Sequence, residues 1–470
     1  MTRARTDAEA SVEVLTYARG AARREPSLLR QLLWLALPIL AEQLLHSVVG
    51  LTDVYLAGHL RRDAVAATAA VGSVAYILWL LGLIAGAIGT GSTALVARAT
   101  GAKHRSLANA VCGQTVTAAA LTGLGLALFT VLFARQVASI TGLSGEAYGF
   151  ALYYVRALSV SLPFSIFLLA ANSCLRGAGD TVTPAVSVIV VDIVNLALSA
   201  SLSRGWFGLP EMGFRGIAIG TVTAYVIGGL LQLGVLLRGR GGLRLHPHRL
   251  RPHWHTLRRI LKIGLPSGLE GILIWGANFA IVAAINQMDA SNVAGSAHII
   301  TIRLESMSFL IGYAFSMAAA TMVGQSLGMN DPNRAKRSAY LAYAAGGGTM
   351  GFMGVMFVLF SRHFANFLAE DPAIIGLASK CLFITGFAQL GFAASMIFSA
   401  ALRGAGDTVT VMAINLASIL GLRLTGALLV ANHFKLGLPA IWVVLAGELV
   451  VRGVAVFLRF LQGGWRHVKV

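Results

Sequence analysis

The chain has 470 residues, 56% of them hydrophobic and 12% charged, with a mean hydropathy of +0.74. Soluble domains carry roughly 25% charged residues, so a soluble enzyme or binding module is excluded as the main body. The net charge of +18 does not indicate nucleic acid either, because the basic residues gather at the ends of long apolar runs.

Residues 1–29 are polar and Arg-rich, and no apolar stretch precedes Leu32; a cytoplasmic tail without a cleaved signal is expected. Continuous apolar runs of about 20 residues or more then follow one another, long enough to cross a bilayer. Spans in lipid must satisfy their own backbone groups, and continuous rather than alternating runs select helices over barrel strands. The runs predict twelve helices, near 30–56, 66–97, 106–133, 148–175, 182–202, 213–238, 257–286, 296–327, 335–361, 373–402, 408–432 and 438–461. Residues 30–238 form one six-helix lobe and 257–461 the other. Residues 239–256 are a linker and 462–470 a second tail.

With the N-terminus inside, 25 of the 37 Lys and Arg fall in inner segments and seven in outer loops, including Arg61 and Arg62. This is the positive-inside pattern, so both termini are expected to be cytoplasmic and the basic charge to favour anionic lipid. The stretch "RGRGGLRLHPHRLRPHWHTLRR" (238–259) joins the halves. Its four histidines have no acidic or Cys companion, so it reads as a solvated linker, not a metal site. Cys112, Cys174 and Cys381 lie in apolar segments and imply no disulfide framework.

The nine residues "LRGAGDTVT" occur at 175–183 and again at 402–410. "LVARATGA" (95–102) aligns with "MVGQSLGM" (322–329) at the same shift, and "LP" at 37–38 with "LP" at 265–266. The chain is an internal duplication. Six spans per copy return each half to the side where it began, so the halves are parallel repeats about an axis along the membrane normal. Each repeated nonapeptide is the turn between the fourth and fifth helices of its half. Arg176, Asp180, Arg403 and Asp407 are expected to cap or gate these turns, with Pro38 and Pro266 as bend points.

Six acids fall within spans: Glu42, Asp53, Asp192, Glu270, Glu305 and Glu448. Each costs at least about 2.5–3.5 kcal/mol there and so needs a partner or a task. Glu42, His46 and Asp53 fall on one stripe of the first helix. Asp192, Asn195 and Ser199 share a face of the fifth. Glu270 follows Pro266 as Glu42 follows Pro38, and the two are expected to face each other across a cavity also lined by His46 and Asn278. Glu448 and Arg452 are spaced for an i,i+4 ion pair, and Glu305 reads as structural.

Twelve helices in two halves with a doubled "LRGAGDT" turn resemble the multidrug and toxic compound extrusion (MATE) family of cation-coupled efflux transporters. "GSTALVARATGA" (91–102), "AHIITIRLESMSF" (297–309) and "AATMVGQSLG" (319–328) add to the resemblance, and "YYVRALSVSLPF" (153–164) resembles its DinF-like branch. The resemblance implies an all-α integral membrane protein with two six-helix lobes around a central cavity. It implies efflux of lipophilic or cationic molecules by a monomer in the cell membrane. No cofactor is implied beyond H⁺ or Na⁺ as coupling ion, and no metal beyond transient Na⁺. Asp53 matches the family's first-helix aspartate, Asn195 a family asparagine and Thr221 a family threonine. Ser199 stands where several DinF-like members carry an aspartate, and Asp192 is a substitute two turns away. Ile274 and Phe392 stand where the NorM-type branch has acids, which places coupling at Glu42, Asp53, Asp192, Asn195, Ser199 and Thr221 in the first lobe. A lipid-linked precursor flippase of similar architecture is the alternative, though it favours a cationic cavity. A membrane enzyme is disfavoured, since no catalytic motif or soluble domain accompanies the spans.

Overall fold

The computed structural model describes residues 27–60, 63–288 and 291–468. The N-terminal tail through Pro26, and Arg61 and Arg62 of the expected first outer loop, lie outside the described residues. Among the described residues twelve helices are long and apolar enough to span a membrane: α1 (Leu28–Gly58), α2 (Ala64–Gly101), α3 (Arg105–Leu132), α4 (Gly145–Ala178), α5 (Val182–Arg204), α6 (Phe214–Arg238), α7 (Trp254–Asn286), α8 (Val293–Gly328), α9 (Pro332–Leu368), α10 (Pro372–Gly404), α11 (Thr408–Phe434) and α12 (Leu438–Gln462). The chain is a multi-pass all-α membrane protein.

Helix ends extend past the apolar runs for local reasons. Asp331 and Asp371 each precede a proline and cap the next turn, Asp331 accepting from Arg334 N at 2.8 Å and Asp371 from Ala373 N at 2.7 Å. At its other end α9 runs seven residues beyond the expected 361, through Arg362 and His363, because Phe364 packs on buried Phe357 and Ala365 is fully buried. Both α1 and α7 pass through their prolines, Pro38 and Pro266, without interruption. In contrast α11 contains two wider π turns, Ile419–Leu424 and Leu429–Phe434.

The repeated turns have the same geometry. Gly179 and Gly406 adopt φ of 94° and 92°, a left-handed conformation that glycine takes without strain. Asp180 N then bonds to Leu175 O, and Asp407 N to Leu402 O. The earlier glycine of the motif serves packing. A Cβ on Gly177 would lie 2.8 Å from Thr93 O, and one on Gly404 2.2 Å from Ala320 O. It lets α4 approach α2, and α10 approach α8.

The lobes meet through α2 against α7 and α8, and through α1 against α8. Their closest approaches lie at the face that carries the chain termini and the linker. A Cβ on Gly101 would fall 1.9 Å from Gln325 O, and one on Gly328 2.1 Å from Arg98 O, a reciprocal pair across the pseudo-twofold axis. Gly264 against Ala87 O and Gly91 against Ile260 O continue the seam. At the opposite face each lobe keeps its own core. One is built around Leu56, Val74, Tyr154 and Ile217, the other around Ile281, Ala297, Ile441 and Trp442. The lobes are therefore closed at the terminus-bearing face.

The linker is more ordered than a solvated connection. Gln114 on α3 donates to Arg249 O and Arg251 O at 2.8 and 2.9 Å and accepts from His253 N at 2.8 Å. Leu243 and Leu245 are buried in the first lobe's core. The backbone therefore docks along α3 while His248, His253 and His255 remain exposed. The C-terminal segment also packs back: Trp465 is fully buried and stacks on Phe460.

Candidate functional site

The polar face of α1 meets three different helices of its lobe. At the level nearest the termini, Arg176 Nη2 at the end of α4 donates to both oxygens of Glu42, at 2.6 and 2.7 Å. One turn on, His46 Nδ1 lies 3.1 Å from Asp192 Oδ1 on α5. Nearest the far face, Asp53 lies beside Asn195 on α5 and Thr221 on α6.

The orientation of this last group follows from its hydrogen bonds. The Thr221 hydroxyl donates to Ile217 O at 3.1 Å, so it accepts from Asn195 Nδ2 at 2.9 Å. Tyr154 OH is 3.4 Å from the same hydroxyl. The Asn195 amide oxygen is thereby left free. Asn195 Oδ1, Asp53 Oδ1 and Asp192 Oδ2 are all buried without a hydrogen-bond partner. All three are acceptors in a region where an unmade hydrogen bond is costly. Such a set suits a proton or a small hard cation, which favours oxygen ligands. The pair spans interior and surface: the His46 side chain is 55% exposed, whereas that of Asp192 is 3% exposed.

Ser199 lies on the same face of α5, against α6. Its hydroxyl donates to Ile217 O at 3.3 Å and sits where a Cβ on Gly220 would touch it, so it seats α5 against α6. Asn278 is half-buried on α7. The expectation that Glu42 and Glu270 face each other is corrected. Each is buried and held by the arginine of its own lobe's repeated turn, because a buried carboxylate takes the nearest available cation. Arg403 Nη2 donates to Glu270 Oε1 at 2.6 Å, and Asn415 Nδ2 adds a bond of 2.7 Å. The sequence carried a signal for this pairing: a glutamate one turn after each Leu-Pro and an arginine in each repeated turn, at nearly equal separations in the two halves. The two aspartates of the turns diverge. Asp180 accepts from Thr183 N and Oγ1, while Asp407 accepts from Arg459 Nε and Nη2 at 3.0 and 2.8 Å.

In the second lobe Glu448 is fully buried, with Arg452 Nε at 3.1 Å, Arg423 Nη1 at 3.5 Å and Ser418 Oγ donating at 2.8 Å. The i,i+4 pair with Arg452 is as the spacing implied, and Arg423 is an addition the sequence reading missed. Glu305 accepts from Thr385 Oγ1 at 2.6 Å. His298 packs against the Trp442 ring. Among the described residues no cluster of three or more His, Cys, Asp or Glu forms a metal centre.

The two Glu–Arg pairs predict a double-mutant result. Arg176→Ala or Arg403→Ala leaves a buried carboxylate unpaired and is expected to cost about 3–5 kcal/mol of stability. Arg176→Ala combined with Glu42→Ala removes both charges and is expected to regain more than half of that loss. Thermal unfolding in detergent measures both; equal losses in single and double variants would refute the pairing.

The profile of the MatE family matches this chain twice, over residues 38–200 and 266–429, once in each lobe. The Thermotoga maritima protein named "Probable multidrug resistance protein NorM" is 29% identical over 452 residues, covering 95% of each chain. The Bacillus subtilis protein named "Probable multidrug resistance protein YoeA" is 28% identical over 429 residues, covering 90% of this chain and 91% of its own. A solved transporter of the MOP superfamily from Pyrococcus furiosus superposes with a TM-score of 0.85 at 17% identity, over 94% of this chain and 97% of that one, a likeness of fold. The relatives are named as multidrug resistance proteins, not enzymes, and with both repeats matched the chain belongs to the MatE family, the multidrug and toxic compound extrusion transporters.

Proposed function

We propose that this protein is a secondary active exporter of lipophilic, cationic small molecules in the cell membrane, driven by inward movement of H⁺ or Na⁺. The observation that carries the reading is the oxygen cage of Asp53, Asp192, Asn195 and Thr221, with three buried acceptor atoms left unpartnered. The names of the relatives support a drug-like substrate range. The carboxylates of the first lobe also favour a cationic substrate over the pyrophosphate of a lipid-linked precursor.

The charge asymmetry across the spans puts the termini and linker in the cytoplasm. The closed seam at Gly101 and Gly328 then lies on the cytoplasmic side, and the described conformation is outward-facing. From outside, an ion reaches Asp53 near the outer end of α1. Neutralising Asp53 and the Asp192–His46 pair weakens attraction for a bound cation, and substrate leaves outward. Only such a difference in affinity between states can drive the cycle. Return to the inward state requires the glycine seam to part. Apolar cleft walls and residual carboxylates then capture the next substrate.

The deciding experiment is dye or radiotracer flux in proteoliposomes under imposed H⁺ or Na⁺ gradients. Flux that follows neither gradient overturns the reading. Topology has its own check. His248→Cys, on the exposed edge of the linker, is expected to react with a membrane-impermeant maleimide in inverted vesicles and not in intact cells. The reverse pattern would place the closed seam outside.

A further inference from the structure

We propose that residues 463–468, just beyond α12, form a strap that crosses from the second lobe to the first and holds the glycine seam shut. Its root is in the second lobe. Gly463 turns the chain with φ of 75°, and Gly464–His467 make one 3₁₀ turn. Trp465 is fully buried in a core with Val323 of α8, Leu402 and Ala405 of the second repeated turn, and Phe460. Its indole Nε1 donates to Phe460 O at 2.8 Å, so the buried ring has its one polar atom paired. The tip of the strap is tied to the first lobe. Arg98 Nη1 on α2 donates to Val468 O at 2.9 Å. Arg98 O is also the atom that a methyl on Gly328 would strike, so the tie is made at a residue of the seam itself.

The duplication marks this tie as an addition to the seam. Arg98 and Gln325 hold equivalent positions in "LVARATGA" and "MVGQSLGM". Gln325 Nε2 donates to Gly177 O at 3.1 Å, and Thr321 Oγ1, one turn before it, donates to Arg176 O at 3.1 Å. The second lobe thus grips the end of α4 in the first lobe directly. The reverse grip is made differently. Ala94 stands at the position of Thr321 and has no side-chain donor, and Arg98 turns to the strap. The segment after α6, the strap's counterpart, stays with its own lobe and docks along α3. When α2 and α8 part, either the Arg98 bond breaks or Trp465 leaves its core. The first costs one hydrogen bond of a half-buried guanidinium, the second the burial of a whole indole. The bond is therefore the release point, and Trp465 keeps the tip in place for reclosure. The strap stabilises only the seam-shut state and so biases the balance between states. Its use in transport rests on the alternating-access reading; the tether itself does not.

Thiol labelling tests the tether. Thr321 is buried on α8 against the end of α4. In nanodiscs, the rate at which Thr321→Cys reacts with a maleimide follows the fraction of molecules with the seam open. In that background Arg98→Ala is expected to speed labelling about three- to tenfold, the effect of losing one hydrogen bond. A chain shortened to end at Arg466 keeps Trp465, loses Val468 and is expected to match it. Both changes together are expected to do no more than either alone, because they remove the same bond. His467→Ala and Val468→Ala leave the Val468 carbonyl in place and are expected to label at the parent rate. Parent rates in Arg98→Ala or in the shortened chain, or additive effects of the two, would overturn the tether. So would equal acceleration at Cys381, buried in the far-face core of the second lobe, because the lobe itself would then have loosened. Failure here leaves gradient-driven export standing, and flux that follows neither gradient leaves the labelling result standing.

Discussion

Asp53→Asn is expected to leave a folded, inserted protein that binds substrate but loses gradient-driven export by roughly 10–100-fold, the scale of an allosteric coupling energy of a few kcal/mol. The reason is geometric. Asn keeps the volume and one acceptor oxygen, but it replaces the other oxygen with an N–H donor that never ionises. That donor lies beside the unpartnered oxygens of Asn195 and Asp192, so the cage is held permanently as though its proton had arrived. Substrate bound inside would be released outward but could not be exchanged again for an ion. Flux with and without a gradient, and cation affinity, should be measured in the same liposomes. Asp192→Asn is expected to give a similar, weaker defect, because His46 still offers a titratable group at that level. Full gradient-driven transport by Asp53→Asn would remove the cage from the mechanism.

The second large effect is expected at the glycine seam. In Gly101→Ala the new methyl would fall 1.9 Å from Gln325 O, and in Gly328→Ala 2.1 Å from Arg98 O. Neither neighbour is the end of a flexible side chain; both are helix backbone, so α2 and α8 must separate. Overpacking of this kind costs roughly 1–3 kcal/mol per site and falls only on the state in which the seam is shut. The population is therefore expected to move toward the inward-open state by about tenfold or more for the double variant, since 1.4 kcal/mol is a factor of ten. Spin labels at His59 and Gln287, at the far-face ends of α1 and α7, should come closer together. Gly276→Ala has open space around its Cβ and is the control, expected to leave the distances unchanged. Unaltered distances in the double variant would mean that the seam does not set the resting state.

Much of this molecule is written locally. Apolar run length is a property of consecutive residues, so twelve spans, their order and the two lobes follow from hydropathy alone, with errors confined to ends set by caps and by interfacial packing such as Phe364. The duplication follows from the nonapeptide repeat, and its two glycines have the conformational and packing duties their positions suggest. The stripe Glu42, His46, Asp53 is likewise a matter of helical period. Periodicity says which side of a helix is polar, but not which neighbour it meets. Arg176 reaches Glu42 from 134 residues away, and Arg423 reaches Glu448 from another helix. Only the tertiary structure decided that Glu42 and Glu270 are neutralised within their own lobes, that Ser199 meets the backbone of α6 at Ile217, that the linker is docked on α3, and that the lobes are shut at the terminus-bearing face. Those outcomes depend on which helices lie side by side and how closely their backbones approach, and a pattern within one helix carries no information about either.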